Sequence, residues 1–157
     1  MAEMKMPRFM ISATGSGCGK TTITCGILKA LMNKGLKVAA FKSGPDYIDP
    51  MFHSKVIGAK SRNLDVFMLG KETVKFLAAK NACDVNVSVF EGAMGFYDGM
   101  GKTAEASAYD LARTCDVPVI LIVNGKGLFI HTGKDFTNNN LTEAAVQSSA
   151  YKQFEQA

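Results

Sequence analysis

RFMISATGSGCGKTT, residues 8–22, passes from an apolar run into three closely spaced glycines and then into a lysine followed by two threonines. Residues 8–13 have the composition of a buried parallel strand that stops at a loop. Beyond the loop, Ile23, Ile27, Leu28 and Leu31 recur at helical spacing, and the pattern ends at Lys34 and Gly35, a basic last turn and a C-capping glycine. Strand, glycine loop and helix in that order is the setting in which a glycine-rich stretch binds phosphate. Phosphate oxygens need several backbone N–H groups converging on them, and Gly15, Gly17 and Gly19 let the chain turn tightly with no Cβ in the way. The helix start adds the positive end of its dipole. Ser16, Cys18 and Thr22 complete the loop, Lys20 is placed to neutralise the β and γ phosphates, and the Thr21 hydroxyl is placed to meet Mg²⁺. The strict G-x-x-x-x-G-K-[ST] pattern asks for glycine where this chain has Thr14, so the loop is a variant. A capped glycine turn with an exposed lysine is the plain alternative.

The same alternation continues outward. Residues 37–42 (KVAAFK) form a second strand, and residues 43–52 (SGPDYIDPMF), with two prolines and two aspartates, have the composition of a loop. Val74, Leu77 and Ala78 mark one face of a helix over residues 71–80, and residues 85–90 (VNVSVF) return to strand chemistry. Another helix is expected over residues 105–114. Residues 117–123 (VPVILIV) are nearly continuous aliphatic sequence, expected as a central strand covered on both faces. Strands alternating with helices in this way predict an α/β fold, an open parallel sheet with helices on both faces. After Gly127 the character changes, and residues 128–157 are expected to be a divergent tail, with a helix over 141–157 capped by Asn140.

Composition bounds the rest. With 157 residues, 47% of them hydrophobic, the chain has room for one core and one domain. A formal charge of +4, from 18 Lys and Arg against 14 Asp and Glu spread without runs, is too mild to argue for nucleic acid. Cys18, Cys25, Cys83 and Cys115 form no C-x-x-C pair and have no histidine at ligand spacing, so they are expected as free thiols. No uncharged apolar run approaches signal-peptide or membrane-spanning length, which points to the cytoplasm.

A nucleotide-bound Mg²⁺ takes one or two carboxylates from strand ends that face the phosphates. Glu91, at the end of VNVSVF, stands where a Walker B acid would. Asp46 in GPDYID follows the second strand, and a turn-forming aspartate is its alternative. Asp49 could touch the metal, support a ligand, or cap a helix. Lys42 closes the second strand and could meet phosphate, a substrate carboxylate, or only solvent.

Four stretches taken together, ISATGSGCGKTTITCGILKAL (11–31), FKSGPDYIDPMFH (41–53), SRNLDVFML (61–69) and VFEGAMGFYDG (89–99), closely resemble the amino-terminal domain of cobyrinic acid a,c-diamide synthases, a family that includes the hydrogenobyrinate and nickel-sirohydrochlorin enzymes. The resemblance covers about residues 9–126. It implies a P-loop domain similar to dethiobiotin synthetase that binds ATP and Mg²⁺, joined to a glutaminase domain. It implies that a carboxylate of a corrinoid or other tetrapyrrole is phosphorylated by ATP and that ammonia, free or from glutamine, turns the acyl phosphate into an amide. Carried over by position, residues 15–22 hold the triphosphate, and Asp46 and Glu91 resemble the metal-side acids. Tyr47, Asp49, Arg62, Asn63, Asp65, Tyr97 and Asp98 fall in substrate-facing motifs. Asp49 and Asp98 join Lys20, Asp46 and Glu91 as catalytic candidates. Arg62 has a surface salt bridge as its alternative, and Tyr97 and Asp98 a simple turn. His53 also falls at a family position, though a lone histidine is more often a structural hydrogen-bonding group. Because the resemblance is expected to stop after Lys126, the synthetase domain is expected to be incomplete and the glutaminase absent. A homodimer remains open.

Two other readings compete. A partitioning or cell-division switch ATPase shares the fold, but such proteins place a lysine where this chain has Gly15 and lack the SRNLD and FYDG blocks. A catalytically silent nucleotide-binding domain is the other.

Overall fold

The computed structural model describes residues 7–125, so the tail and helix expected beyond residue 127 lie outside the described residues. In chain order the elements are β1 (Arg8–Ala13), α1 (Lys20–Asn33), β2 (Val38–Ser43), α2 (Ile48–Met51), a π-helical turn (Phe52–Ile57), β3 (Lys60–Leu64), α3 (Val66–Leu69), α4 (Lys71–Ala82), β4 (Val87–Glu91), α5 (Ala108–Cys115) and β5 (Val119–Ile122). The strands form one parallel sheet in the order β3-β2-β4-β1-β5. The expected parallel α/β sheet is therefore present.

Successive strand residues point to opposite faces, and both faces are apolar. Met10, Phe41, Phe90 and Leu64 pack with Val74, Ala78 and Leu111 on the side of α4 and α5. Ile11, Ala40, Val87 and Val89 pack with Leu28 on the side of α1. Phe41 and Phe90, on neighbouring strands, have ring centroids 4.7 Å apart. From β1 the chain moves first toward β2 and β3 and later returns past β1 to β5. The loop after β1 thus opens where connections diverge, at the carboxyl ends of the strands, which is where open α/β sheets bind ligands.

Two expectations need correction, and one strand lies where the composition marks no element. Residues 43–52 are not all loop, because Asp46 Oδ1 accepts from Ile48 N at 2.9 Å and Asp49 N at 3.3 Å and so starts α2. Pro50 lies in the first turn of that helix, where its missing N–H costs nothing. The SRNL stretch is a strand, β3, hidden in the sequence by its polar residues. It pairs with β2 alone among the described residues, and edge strands tolerate such composition. Conversely, β5 pairs only with β1 and stands at the edge of the described sheet, with Ile120 53% exposed. An aliphatic run reports apolar surroundings and not the number of neighbouring strands.

Gly92 follows β4 and donates its N–H to Ile11 O at 2.9 Å. A Cβ there would meet Ser12 Oγ at 2.6 Å and Ala108 Cβ at 3.0 Å. Gly92→Ala is expected to destabilise the fold by about 1–3 kcal/mol, read as a lower urea midpoint at unchanged slope.

The four cysteines are free thiols, and burial pushes Cys115 up to about 11. No helix among the described residues is long and apolar enough to cross a membrane.

Candidate functional site

The phosphate loop is pinned where β1 runs into it. Thr14 N donates to Ile122 O at 3.2 Å, and Phe96 N donates to Ala13 O at 2.8 Å. Gly17 and Gly19 have φ of 73° and 82°, values that side chains rarely adopt, so glycine is required at both. Gly19 is the residue before α1, and no side chain caps that helix. Its first N–H groups are therefore left for a ligand.

Lys20 begins α1 and its ammonium bridges two loops, donating to Gly15 O at 2.8 Å and Met94 O at 2.6 Å. Met94 reaches it through a left-handed backbone, φ 49°, uncommon for a non-glycine residue. Burial, and then the nearby Lys42 charge, lower the Lys20 pKa from its ordinary value.

One helical step on, the Thr21 hydroxyl donates to Glu91 Oε1 at 2.6 Å, with Asp49 Oδ2 3.1 Å away. Glu91 is fully buried at the end of β4. Lys42, at the end of β2, donates to Glu91 Oε1 at 2.9 Å and also to Asp49 Oδ2. Burial disfavours the Lys42 ammonium, but the bond to Asp49 and the charge of Glu91 outweigh it and raise its pKa. Burial likewise opposes the Asp49 carboxylate, yet Lys42 holds that acid below the usual range.

The structure separates the two aspartates that the sequence left open. Asp46 has its carboxylate 3.7 Å from Lys42 Nζ and uses Oδ1 to start α2, which carries Asp49 to Thr21. A hydroxyl and two carboxylates, from Thr21, Glu91 and Asp49, match the hard oxygen donors that a nucleotide-bound Mg²⁺ takes. Among the described residues no three His, Cys, Asp or Glu side chains gather as a protein-only cage, and a cation that keeps nucleotide and water ligands requires none.

The other sequence candidates lie around this centre in different roles. Asn63 Nδ2 donates to Asp46 O at 2.6 Å and fixes the turn before α2. Arg62 is exposed and donates to Ser61 O at 3.0 Å, while Tyr47 is 90% exposed. Asp65 caps α3, accepting from Met68 N at 2.9 Å. Asp98 accepts from Gly95 N at 2.7 Å and closes the loop after β4. Tyr97 packs against Phe96 and Tyr109, with ring centroids 4.8 and 5.0 Å away.

His53 has the buried, hydrogen-bonded setting of a structural histidine, and its ring also reaches Glu91. The signal was present in the spacing, since Asp49 and His53 are four residues apart and fall on one helical face. Met94 carries no such signal, because it enters through its carbonyl.

Residues 9–124 match the family described as the CobQ/CobB/MinD/ParA nucleotide binding domain. Among curated proteins, a cobyrinate a,c-diamide synthase of Thermoplasma volcanium is 47% identical over 149 residues, covering 91% of this chain and 33% of that protein. Synthases of the same name from Clostridium tetani and Salmonella typhimurium are 48% and 43% identical over 121 residues each, covering 77% and 76% of this chain and 27% and 26% of the relatives. The chain thus spans about a third or less of the length of these relatives. The Thermoplasma match, at 91% of the chain, reaches past Lys126, where the motifs alone led the resemblance to stop. The chain belongs to the CobQ/CobB/MinD/ParA nucleotide-binding domain family and, within it, to the nucleotide-binding part of the cobyrinate a,c-diamide synthases.

Proposed function

We propose that this chain is the ATP-binding part of a carbon–nitrogen ligase that amidates the a and c carboxylates of a corrinoid, cobyrinate, in the cytoplasm. The observation that carries the reading is the meeting of Thr21, Glu91 and Asp49 directly behind the glycine loop, at 2.6 and 3.1 Å. The substrate is taken from the relatives, which are named as cobyrinate a,c-diamide synthases.

A carboxylate does not exchange its oxygen for nitrogen until that oxygen becomes a better leaving group. A carboxylate oxygen attacks the γ phosphorus, the bond to the β-phosphate oxygen breaks, and ADP departs. Ammonia, free or released from glutamine by a glutaminase, then adds to the acyl carbon, phosphate leaves with its electron pair, and a proton is lost. The chain's residues act through position and charge. Backbone amides of Gly15, Ser16, Gly17, Cys18 and Gly19 hold the phosphates together with Lys20 and Thr22. Thr21, Glu91 and Asp49 would hold Mg²⁺, which would supply positive charge against that of the phosphates. Lys42 keeps Asp49 ionised, and exposed Arg62, Asn63 and Tyr47 offer donors to the carboxylate side chains of the macrocycle.

ADP release that rises when cobyrinate and ammonia are both present is the expected result. Failure of every corrinoid and sirohydrochlorin to stimulate it, while a full-length relative responds in the same assay, defeats the reading.

A further inference from the structure

Glu91 uses only half of its carboxylate on the cluster described above. Oε1 meets Thr21 and Lys42, while Oε2 is buried, as is His53 Nε2. These two atoms make no hydrogen bond to any other group and stand 3.0 Å apart. On its other side the His53 ring has Nδ1 3.2 Å from the hydroxyl of Ser61, a buried residue of β3. The ring itself is fully buried.

The backbone arrangement serves this placement. His53 lies in the π-helical turn, a wide form of helix that recurs at functional sites. Its own carbonyl accepts from Ala59 N at 2.9 Å, and Gly58, at φ 85°, lets the chain double back into β3. Ser61 is thereby brought to the ring that precedes it by eight residues.

We propose that His53 is a positioning residue for Glu91. Ser61 donates to Nδ1, which leaves the ring proton on Nε2, facing Oε2 of Glu91. The terminal torsion of a glutamate is broad, so an unheld carboxylate would turn about its axis. Held by His53 at one oxygen, Glu91 presents the other to Thr21 and to the cation. A histidine behind a metal-side carboxylate acts here as outer partners of metal ligands do generally, and their loss typically weakens metal affinity by about 10–100-fold. The inference rests on the assignment of Glu91 to the nucleotide-bound cation.

The test is calorimetric titration of the full chain with a non-hydrolysable ATP analogue across a Mg²⁺ series. His53→Leu is expected to raise the Mg²⁺ midpoint about 10-fold while leaving metal-free ADP binding unchanged. His53→Gln, whose amide nitrogen falls near the place of Nε2, is expected to restore most of the loss. If wild type depends on Mg²⁺ and His53→Leu keeps the same midpoint, the role of His53 is refuted and that of Glu91 stands. If wild type binds equally with and without Mg²⁺, the cation role of Glu91 fails, and His53 has nothing to position. Should His53→Leu not fold, ¹⁵N spectra of histidine-labelled wild type decide the matter, with the His53 resonances identified by their loss in His53→Gln. A proton on Nε2 is expected, and a bare Nε2, with the ring proton on Nδ1 alone, overturns the proposal.

Discussion

Lys20→Ala is expected to weaken binding of Mg²⁺ and ATP by about 100-fold, since a hydrogen bond to a charged partner contributes about 1.5–3 kcal/mol. The ammonium already sits at the mouth of the glycine loop, between Gly15 O and Met94 O. Its charge is close to where the β and γ phosphates would lie against the start of α1, and alanine offers neither charge nor donor. Fold stability should change far less, because the two carbonyls belong to surface loops that water reaches. Calorimetric titration of wild type and variant checks both points, with urea unfolding as control. Equal affinities would remove the phosphate-loop assignment altogether.

Glu91→Ala should act on both stability and metal response. The side chain is completely buried and faces Lys42 at 2.9 Å, Thr21 at 2.6 Å and His53 at 3.0 Å. Removing one partner of a buried ion pair leaves the other charge in a poor environment, at a cost of about 3–5 kcal/mol. Lys42 retains Asp49, so the lower end, about 3 kcal/mol, is expected. Glu91→Gln keeps the shape, loses the charge and turns one acceptor oxygen into an amide donor. It should unfold closer to wild type and still bind nucleotide, yet lose most of the gain in affinity that Mg²⁺ brings. Urea midpoints and Mg²⁺ titrations separate the two variants. A Glu91→Gln protein with a full Mg²⁺ response would move the cation to other ligands.

Much of this arrangement is legible in residue order, for physical reasons. β1, β2 and β4 are buried on both faces, so their apolar runs stand out, and α1 and α4 show a single apolar stripe. The glycine loop is legible because its backbone demands particular residues. β3 is not, because three of its five residues are exposed and the sequence KSRNL has no apolar face. Neither is α2, which lies in a stretch whose two prolines and two aspartates read as a turn until the Asp46 carboxylate is seen gathering the amides that begin it. Sequence favours Asp46 as the metal-side acid and leaves Asp49 open. Only the direction of that short helix shows which one reaches Thr21. The four-residue spacing puts His53 on the helical face of Asp49, but that its ring meets Glu91, at the end of β4, is a distance that a linear reading has no means to measure.

β4 lies between β2 and β1 in the sheet. Glu91 therefore receives Lys42 from the neighbouring strand β2 and Thr21 from α1, the helix that follows β1, partners 49 and 70 positions away in the chain. A chain in which β4 is unpaired holds neither contact, whatever helices it has made. Competence to take up nucleotide with its cation therefore depends on the joining of β4 to both of its neighbours and is lost with the sheet's centre rather than with any one helix.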